Sequence, residues 1–309
     1  MSVNQVVRGA GFSLGSALGG LVLAAGTPAG RLFPADGAYT AAAWIGVGVM
    51  AASAATSLAV TPRRARPTQP PEGKSMQDKL FQAEEFSPAA PPVATIIFIC
   101  PYGTPIQKVR FAIRRLLRDG YRVVAYQTTT AVFMEADPAI LPALISGVRE
   151  DIRSRIAKLR SEGVTEFGFF GSSLGSFILY NCVGQEIPEL RWGVFNTGGN
   201  IAQGLWNTPD LRQLHEARGW SLPRLEEAWA DLQWPDFGRL DGCRFVFASS
   251  RRDSVAPLSN ISQYLGPMIQ AGAEVSVHKM PAISHRTTVI IGLWRGPRLV
   301  RMARAAQPV

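Results

Sequence analysis

The sequence predicts an α/β protein, a mostly parallel sheet with helices on both faces. Three observations predict it. From residue 93 onward, short apolar runs rich in β-branched residues alternate with helix-length amphipathic segments. That order gives right-handed crossovers and a parallel sheet covered on both sides. One junction in the alternation is Glu166-Phe-Gly-Phe-Phe-Gly-Ser-Ser-Leu-Gly-Ser-Phe-Ile-Leu-Tyr180, where Gly171-x-Ser173-x-Gly175 joins an apolar run to a helical one. And one interval, Ile201–Leu240, breaks the rhythm with helical segments only.

The elements follow in order. Residues 61–92 are rich in proline and charge; 61–78 read as a linker, and Lys79-Leu-Phe-Gln-Ala-Glu-Glu-Phe86 as a short edge strand opening a domain of residues 79–309. Ala94–Cys100 ends at Pro101 and reads as a buried strand. Ile106–Leu117 has helical spacing and stops at Asp119-Gly120; Arg122–Tyr126 is the next strand. Leu141–Arg160 is an amphipathic helix closed by Glu162-Gly163. Glu166–Phe170 is a strand, Leu174–Val183 the helix after it, and Arg191–Asn196 another strand. Arg244–Ser249 and Glu274–Lys279 complete the set, with the helix Leu258–Ala271 between them.

The interval 201–240 is an insertion between two strands, and it holds Trp206, Trp220, Trp229 and Trp234 of the seven tryptophans. At the carboxyl edge of such a sheet it is placed to roof a ligand crevice. The rings either line an apolar pocket there or pack the insertion onto the sheet.

The first sixty residues hold three charges, Arg8, Arg31 and Asp36, and are crowded with Gly and Ala. Two uncharged stretches, Gly9–Gly30 and Gly37–Val60, are long enough to cross a hydrocarbon core of ~30 Å as helices. Gly11, Gly15 and Gly19 recur at four-residue spacing, which lets two helices approach. Arg8 before the first stretch and Arg63, Arg64 and Arg66 after the second argue for a membrane-associated hairpin of residues 1–60 with the domain of residues 79–309 in the cytoplasm. Residues 1–26 also fit an export signal, and a start near Met76 would make the segment dispensable.

Charge is 32 basic against 23 acidic residues, a net +9 of which residues 1–75 supply +4, so the excess reads as spread out. No long basic run with interleaved aromatics points to nucleic acid. Cys100, Cys182 and Cys243 are far apart, without metal or C-x-x-C spacing, and fit small buried hydrophobes in a reducing compartment. Near the C-terminus Arg295, Arg298, Arg301 and Arg304 recur every three residues, on one side of a helix if Pro297 begins it. Such a stripe is either a solvated face or a contact for anionic lipid.

The chemistry centres on Ser173. A serine on a sharp strand-to-helix turn is held in a strained conformation, so only small residues fit two positions before and after it. Gly171 and Gly175 meet that demand, whereas Phe170 would crowd the same position for Ser172. With 30 glycines in 309 residues, chance alone gives the pattern in roughly one such chain in five, so its context must carry it. A serine nucleophile needs a base to take its proton and an acid to orient that base. Of the three histidines, His278 lies within the last strand, His215 on a helix of the insertion, and His285 in the loop Met280-Pro-Ala-Ile-Ser-His285 beyond the last strand. His285 is the candidate base. Asp253, in Ser250-Arg-Arg-Asp-Ser-Val-Ala-Pro257 just after a strand, is the candidate acid, although aspartate is also a common turn former. An oxyanion needs two N–H donors. Leu174 supplies one, and Tyr102 or Gly103 of Pro101-Tyr-Gly-Thr104 the other, because Pro101 has no N–H.

The order Ser173, Asp253, His285 on alternating strands and helices resembles the α/β-hydrolase fold over roughly residues 79–306. The insertion, with Trp220-Ser-Leu-Pro-Arg-Leu-Glu-Glu226 and Pro235, is similar to the helical cap of small bacterial members. Two positions depart from the family pattern: Pro101-Tyr102 stands where His-Gly is usual, and Ser284 where glycine usually precedes the histidine. The resemblance implies hydrolysis of an ester, thioester or amide through an acyl-serine, without metal or organic cofactor. Two other functions stay open: an acyltransferase using the same acyl-enzyme, and a catalytically silent hydrolase-like domain at a membrane. The implied partners are a small ester or acyl substrate and a membrane lipid.

Overall fold

The computed structural model describes residues 21–27, 35–37, 39–41, 44, 80–233 and 235–305. Two compact units divide after Pro71. In the first, among the described residues, no helix is long and apolar enough to cross a membrane. Most of the two uncharged stretches proposed as a hairpin, and the linker 61–78, lie outside the described residues.

In the second unit, β1 (Phe81–Phe86), β2 (Ala94–Ile99), β3 (Tyr121–Thr128), β4 (Phe167–Ser172), β5 (Leu190–Asn196), β6 (Arg244–Ser249) and β7 (Glu274–Lys279) form one sheet in the order β1-β3-β2-β4-β5-β6-β7. Only β1 runs antiparallel, pairing Phe81 with Thr128 and Phe86 with Val123. The remaining pairings are parallel. The edge strand explains why β3 reaches Thr128, two residues beyond the hydrophobic run that marks it in the sequence: Phe81 and Gln82 supply its last partners.

Between and after the strands lie α1 (Ile106–Arg118), α2 (Ala131–Met134), α3 (Ile140–Ser161), α4 (Leu174–Tyr180), α5 (Ile201–Trp206), α6 (Pro209–Glu216), α7 (Leu222–Ala228), α8 (Ala230–Gln233), α9 (Leu258–Gln270) and α10 (His285–Arg304). Alternate strand residues feed two separate cores, as the two-residue period of a strand requires. Ile96 and Phe98 pack with Ile113 and Leu116 of α1 and Leu293 and Val300 of α10. Ile97 and Ile99 pack with Leu144 and Ile152 of α3, Ile178 of α4 and Ile261 of α9. After α1 the chain adds β3 on one side of β2, and after α3 it adds β4 on the other, so strand order reverses at β2. A right-handed crossover in each direction puts α1 and α3 on opposite faces, and the reversal opens a crevice at the carboxyl ends of β2 and β4.

Two local expectations need correction. His285 is the first residue of α10 and not part of a loop, because Ser284 caps that helix: its hydroxyl accepts from Thr287 N–H at 3.3 Å while Thr287 Oγ1 accepts from Ser284 N–H at 3.0 Å. This reciprocal capping box is what serine provides where the family pattern has glycine. Pro297 lies inside α10, not at its start; it is buried, and its missing N–H removes one bond from the helix ladder without ending it. The insertion carries four short helices, α5 to α8, and its described residues 235–240 run on as irregular chain to β6.

Candidate active site

Ser173 follows the last residue of β4 with φ 55° and ψ −119°. A left-handed φ at a non-glycine residue costs ~1–3 kcal/mol and persists only where neighbours enforce it. Here they do: Ser173 N–H donates to Asn196 O at 2.9 Å, and Ser173 O accepts from Ser176 N–H at 2.9 Å. A Cβ on Gly171 would stand 2.7 Å from Gly175 O, and one on Gly175 2.3 Å from Ile99 O, so the turn closes only with glycine at both positions. Ser172 points into the protein. It is fully buried and its hydroxyl accepts from Asn196 Nδ2 at 2.8 Å.

The structure brings the three candidate residues into one hydrogen-bonded chain. Ser173 Oγ is 2.9 Å from His285 Nε2. His285 Nδ1 is 3.0 Å from both Asp253 oxygens. Asp253 sits in the turn after β6, its side chain fully buried, while the imidazole stays partly exposed. Its carboxylate is saturated with donors: Val255 N–H at 3.0 Å and Ala256 N–H at 2.9 Å on Oδ1, and the Thr197 hydroxyl at 2.6 Å on Oδ2. Burial works to raise the Asp253 pKa, but the bonds and charge from His285, then Thr197 and Ala256, outweigh it and hold the group below the usual carboxylate range. An ionised Asp253 can only accept, so His285 Nδ1 carries the donated proton. Nε2 of the neutral ring is then free to accept from Ser173 Oγ–H. The Ser250 hydroxyl donates to Ala282 O at 2.7 Å, tying the acid's loop to the segment that leads into α10.

Thr197 carries no signal in the sequence, which marks only a polar loop, Asn196-Thr-Gly-Gly-Asn200. In the structure it is fully buried at φ 49°, its N–H donating to Ala248 O at 2.7 Å. Positive φ is rare for a β-branched residue.

The loop after β2 turns at Pro101–Thr104, closed by Thr104 N–H to Pro101 O at 3.0 Å with Gly103 at φ 60°. The N–H groups of Tyr102, Gly103 and Leu174 have no acceptor among the described residues. The Tyr102 hydroxyl donates to Thr130 O at 2.9 Å, and its ring lies 4.8 Å from Phe133, which in turn lies 6.5 Å from Trp229. This aromatic chain joins the loop to the insertion. Trp229 is buried and its indole N–H donates to Pro138 O at 2.9 Å, so its surroundings are those of a packing residue. Trp206 and Trp220 are half-buried, Trp220 beneath the Arg224 guanidinium at 5.1 Å. Trp234 lies outside the described residues.

The other histidines are held elsewhere. His215 is buried, with Nδ1 2.9 Å from Leu211 O, and burial lowers its pKa. His278 pairs with Arg295 at 3.2 Å, and burial followed by the charges of Arg295 and Arg298 lowers its pKa. Cys100, Cys182 and Cys243 are buried free thiols. Among the described residues, no group of three His, Cys, Asp or Glu is arranged to hold a metal.

The sequence matches no protein-family description. No curated protein is similar to it. Solved structures do resemble the chain. A puromycin-hydrolysing peptidase of Mycobacterium tuberculosis shares 15% identity over 73% of this chain and 39% of that one, with a TM-score of 0.53. An acylaminoacyl peptidase of Pyrococcus horikoshii shares 12% over 73% and 38%, at 0.51. An esterase of Pyrococcus furiosus shares 14% over 74% and 94%, at 0.49. At such identities the likeness to the two peptidases is one of architecture, and with the sheet order above it defines the class: the second unit has the α/β-hydrolase fold.

Proposed function

We propose that the chain is a serine hydrolase that cleaves a carboxylic ester, thioester or amide through an acyl-Ser173 intermediate. Ser173 Oγ attacks the carbonyl carbon as its proton passes to His285 Nε2. Asp253 holds the ring's tautomer and offsets the imidazolium charge. The carbonyl oxygen becomes an oxyanion that the N–H of Leu174, with that of Tyr102 or Gly103, is available to bind. Collapse expels the alcohol, thiol or amine, which leaves with the proton from Nε2. Water then gives a proton to Nε2 as it attacks the acyl group, and Ser173 departs reprotonated. No step calls for a metal or organic cofactor. Trp206 and Trp220 of the insertion are the candidates to bound the acyl side of the pocket.

The observation that carries this reading is the Ser173–His285–Asp253 chain, 2.9 and 3.0 Å, hung from a serine in a strained turn. The test is hydrolysis of p-nitrophenyl acetate by wild type and by Ser173→Ala. The reading requires turnover that depends on Ser173; a wild type inert toward esters and thioesters of every chain length rejects it.

A further inference from the structure

The expectation that positive charge is spread along the chain does not hold in three dimensions. Helices α1 and α10 each carry five basic residues and no acidic one. They therefore hold ten of the 32 basic residues and none of the 23 acidic ones, leaving the rest of the chain at 22 against 23. The two helices lie side by side on one face of the sheet, where Arg115 of α1 stacks on Trp294 of α10 at 4.6 Å and donates to its carbonyl. Residues 1–75 carry +4, so within residues 76–309 this two-helix layer holds +10 while everything else there nets −5.

Charge on the opposite layer is balanced. Arg149, Arg153, Arg155 and Arg160 of α3 all meet acidic partners, at 3.0, 2.6, 2.6 and 2.8 Å. On the α1/α10 layer, Arg110, Arg301 and Arg304 do so, at 3.6, 3.9 and 2.6 Å. Lys108, Arg114, Arg118 and Arg298 are exposed with no acidic partner among the described residues. Between them protrude large apolar side chains: Phe111, Ile290, Trp294 and Met302 are 40%, 47%, 63% and 38% exposed. Ile290, Trp294 and Arg298 recur every four residues and Met302 follows, a line along a helix about 30 Å long.

We propose that this face docks on the surface of an anionic lipid bilayer, with α10 lying in the membrane plane. Ile290, Trp294 and Met302 enter the headgroup region, and Arg114, Arg118 and Arg298 meet lipid phosphates. A row of cations alternating with large apolar groups suits an interface that is polar and charged above and apolar beneath. A nucleic acid would match the charge but leave the aliphatic side chains without a partner, and Arg115 already covers one ring face of Trp294 that a base would need. The inference rests on charge and exposure, so it stands independently of the hydrolase reading. Where both hold, His285 in the first turn of α10 keeps the site beside the lipid.

The test uses the full-length chain in co-sedimentation with vesicles of phosphatidylcholine alone or with added phosphatidylserine. Wild type should bind the anionic vesicles selectively and release at about 0.5 M salt. The pair Arg114→Glu/Arg298→Glu should weaken that binding at least about 30-fold with the melting temperature unchanged. Trp294→Ala, which alters no charge, should weaken it several-fold. Equal binding to both vesicle types overturns the proposal, as does binding that survives both variants, which would assign attachment to residues outside these helices. Tighter binding to a DNA oligonucleotide than to anionic vesicles, unaffected by Trp294→Ala, would make the face a nucleic-acid surface instead.

Discussion

Two neighbouring turns at the carboxyl edge of the sheet invite comparison. Ser173 follows β4 and Thr197 follows β5, each one residue beyond the strand and each a non-glycine residue with φ near 50°. Each is pinned by donating its N–H to the end of the next strand, Ser173 to Asn196 O and Thr197 to Ala248 O. Their side chains do opposite things. Ser173 Oγ reaches out to a partly exposed imidazole, whereas Thr197 Oγ1 is buried and donates inward to Asp253. The same backbone strain thus presents a hydroxyl to the imidazole at one turn and at the other holds the carboxylate that the imidazole contacts. Under the proposed function the strain has two uses, and only the first is visible as a motif.

The comparison can be broken most severely at the presenting turn. Ser173→Ala should lower kcat by up to ~10⁶, while Ser172→Ala, which loses only a buried hydrogen bond to Asn196, should keep most of its turnover and lose ~1 kcal/mol of stability. Steady-state kinetics with a thermal melt separates the two. Comparable losses from both would mean that the turn as a whole, and not the Ser173 hydroxyl, matters.

Next in size is the acid itself. Asp253→Asn should cost about 10⁴ in kcat by removing the acceptor that fixes the His285 tautomer. Its pH behaviour carries a sign. A carboxylate whose pKa is lowered by folding contributes stability that is present above its ordinary value of 3.8 and is lost as pH falls through the lowered one. The melting-temperature gap between wild type and Asp253→Asn should therefore be constant at neutral and mildly acid pH and close only in strong acid. A gap that closes in mildly acid solution would show that the carboxylate is not held ionised.

The holding turn should give a smaller effect. Thr197→Val removes the 2.6 Å bond to Asp253 and should lower kcat by ~10–100-fold with little change in KM, because the residue acts through the acid and not on substrate. Thr197→Ser keeps the hydroxyl and should restore most of the rate. Thr197→Gly relieves the φ of 49° yet leaves the acid untied, so it should be slow without a matching loss of stability. A Thr197→Ser protein as slow as Thr197→Val would reduce the residue to packing.

The smallest effects should come from the insertion. Trp206→Ala or Trp220→Ala should change preference among p-nitrophenyl esters of increasing chain length by several-fold. Trp229→Ala should instead leave the preference and cost ~3–5 kcal/mol of stability, since it removes a buried ring and its bond to Pro138. If the chain-length profile is the same in all three, the tryptophans are scaffold.

What was legible in the sequence divides along physical lines. The strands were, because β2, β4 and β6 are nearly continuous apolar runs buried on both faces, and their spacing by helical segments fixes a parallel sheet. The positions of Ser173 and Asp253 within reach of His285 were, because glycine flanks and a place just after a strand are local requirements. Thr197 was not, since nothing in a short polar loop distinguishes a threonine held at positive φ. The helical start at His285 was missed although Ser284 and Thr287 supply a capping pair, because the signal expected there is Ser followed by an acidic or amide side chain. The cationic layer was hidden for a different reason: α1 and α10 are far apart in the chain, and only the fold sets them side by side. The tryptophans were ambiguous by nature, since a large amphipathic ring suits a pocket wall and a packing joint equally.

The central claim, that the strained turn after β4 presents a nucleophile activated by His285, is tested most directly by reaction with a fluorophosphonate followed by peptide mapping. The label should appear on the peptide that contains Ser173, disappear in Ser173→Ala, and form far more slowly in His285→Ala. Labelling that persists in Ser173→Ala, or a wild-type protein that never reacts, would contradict the account.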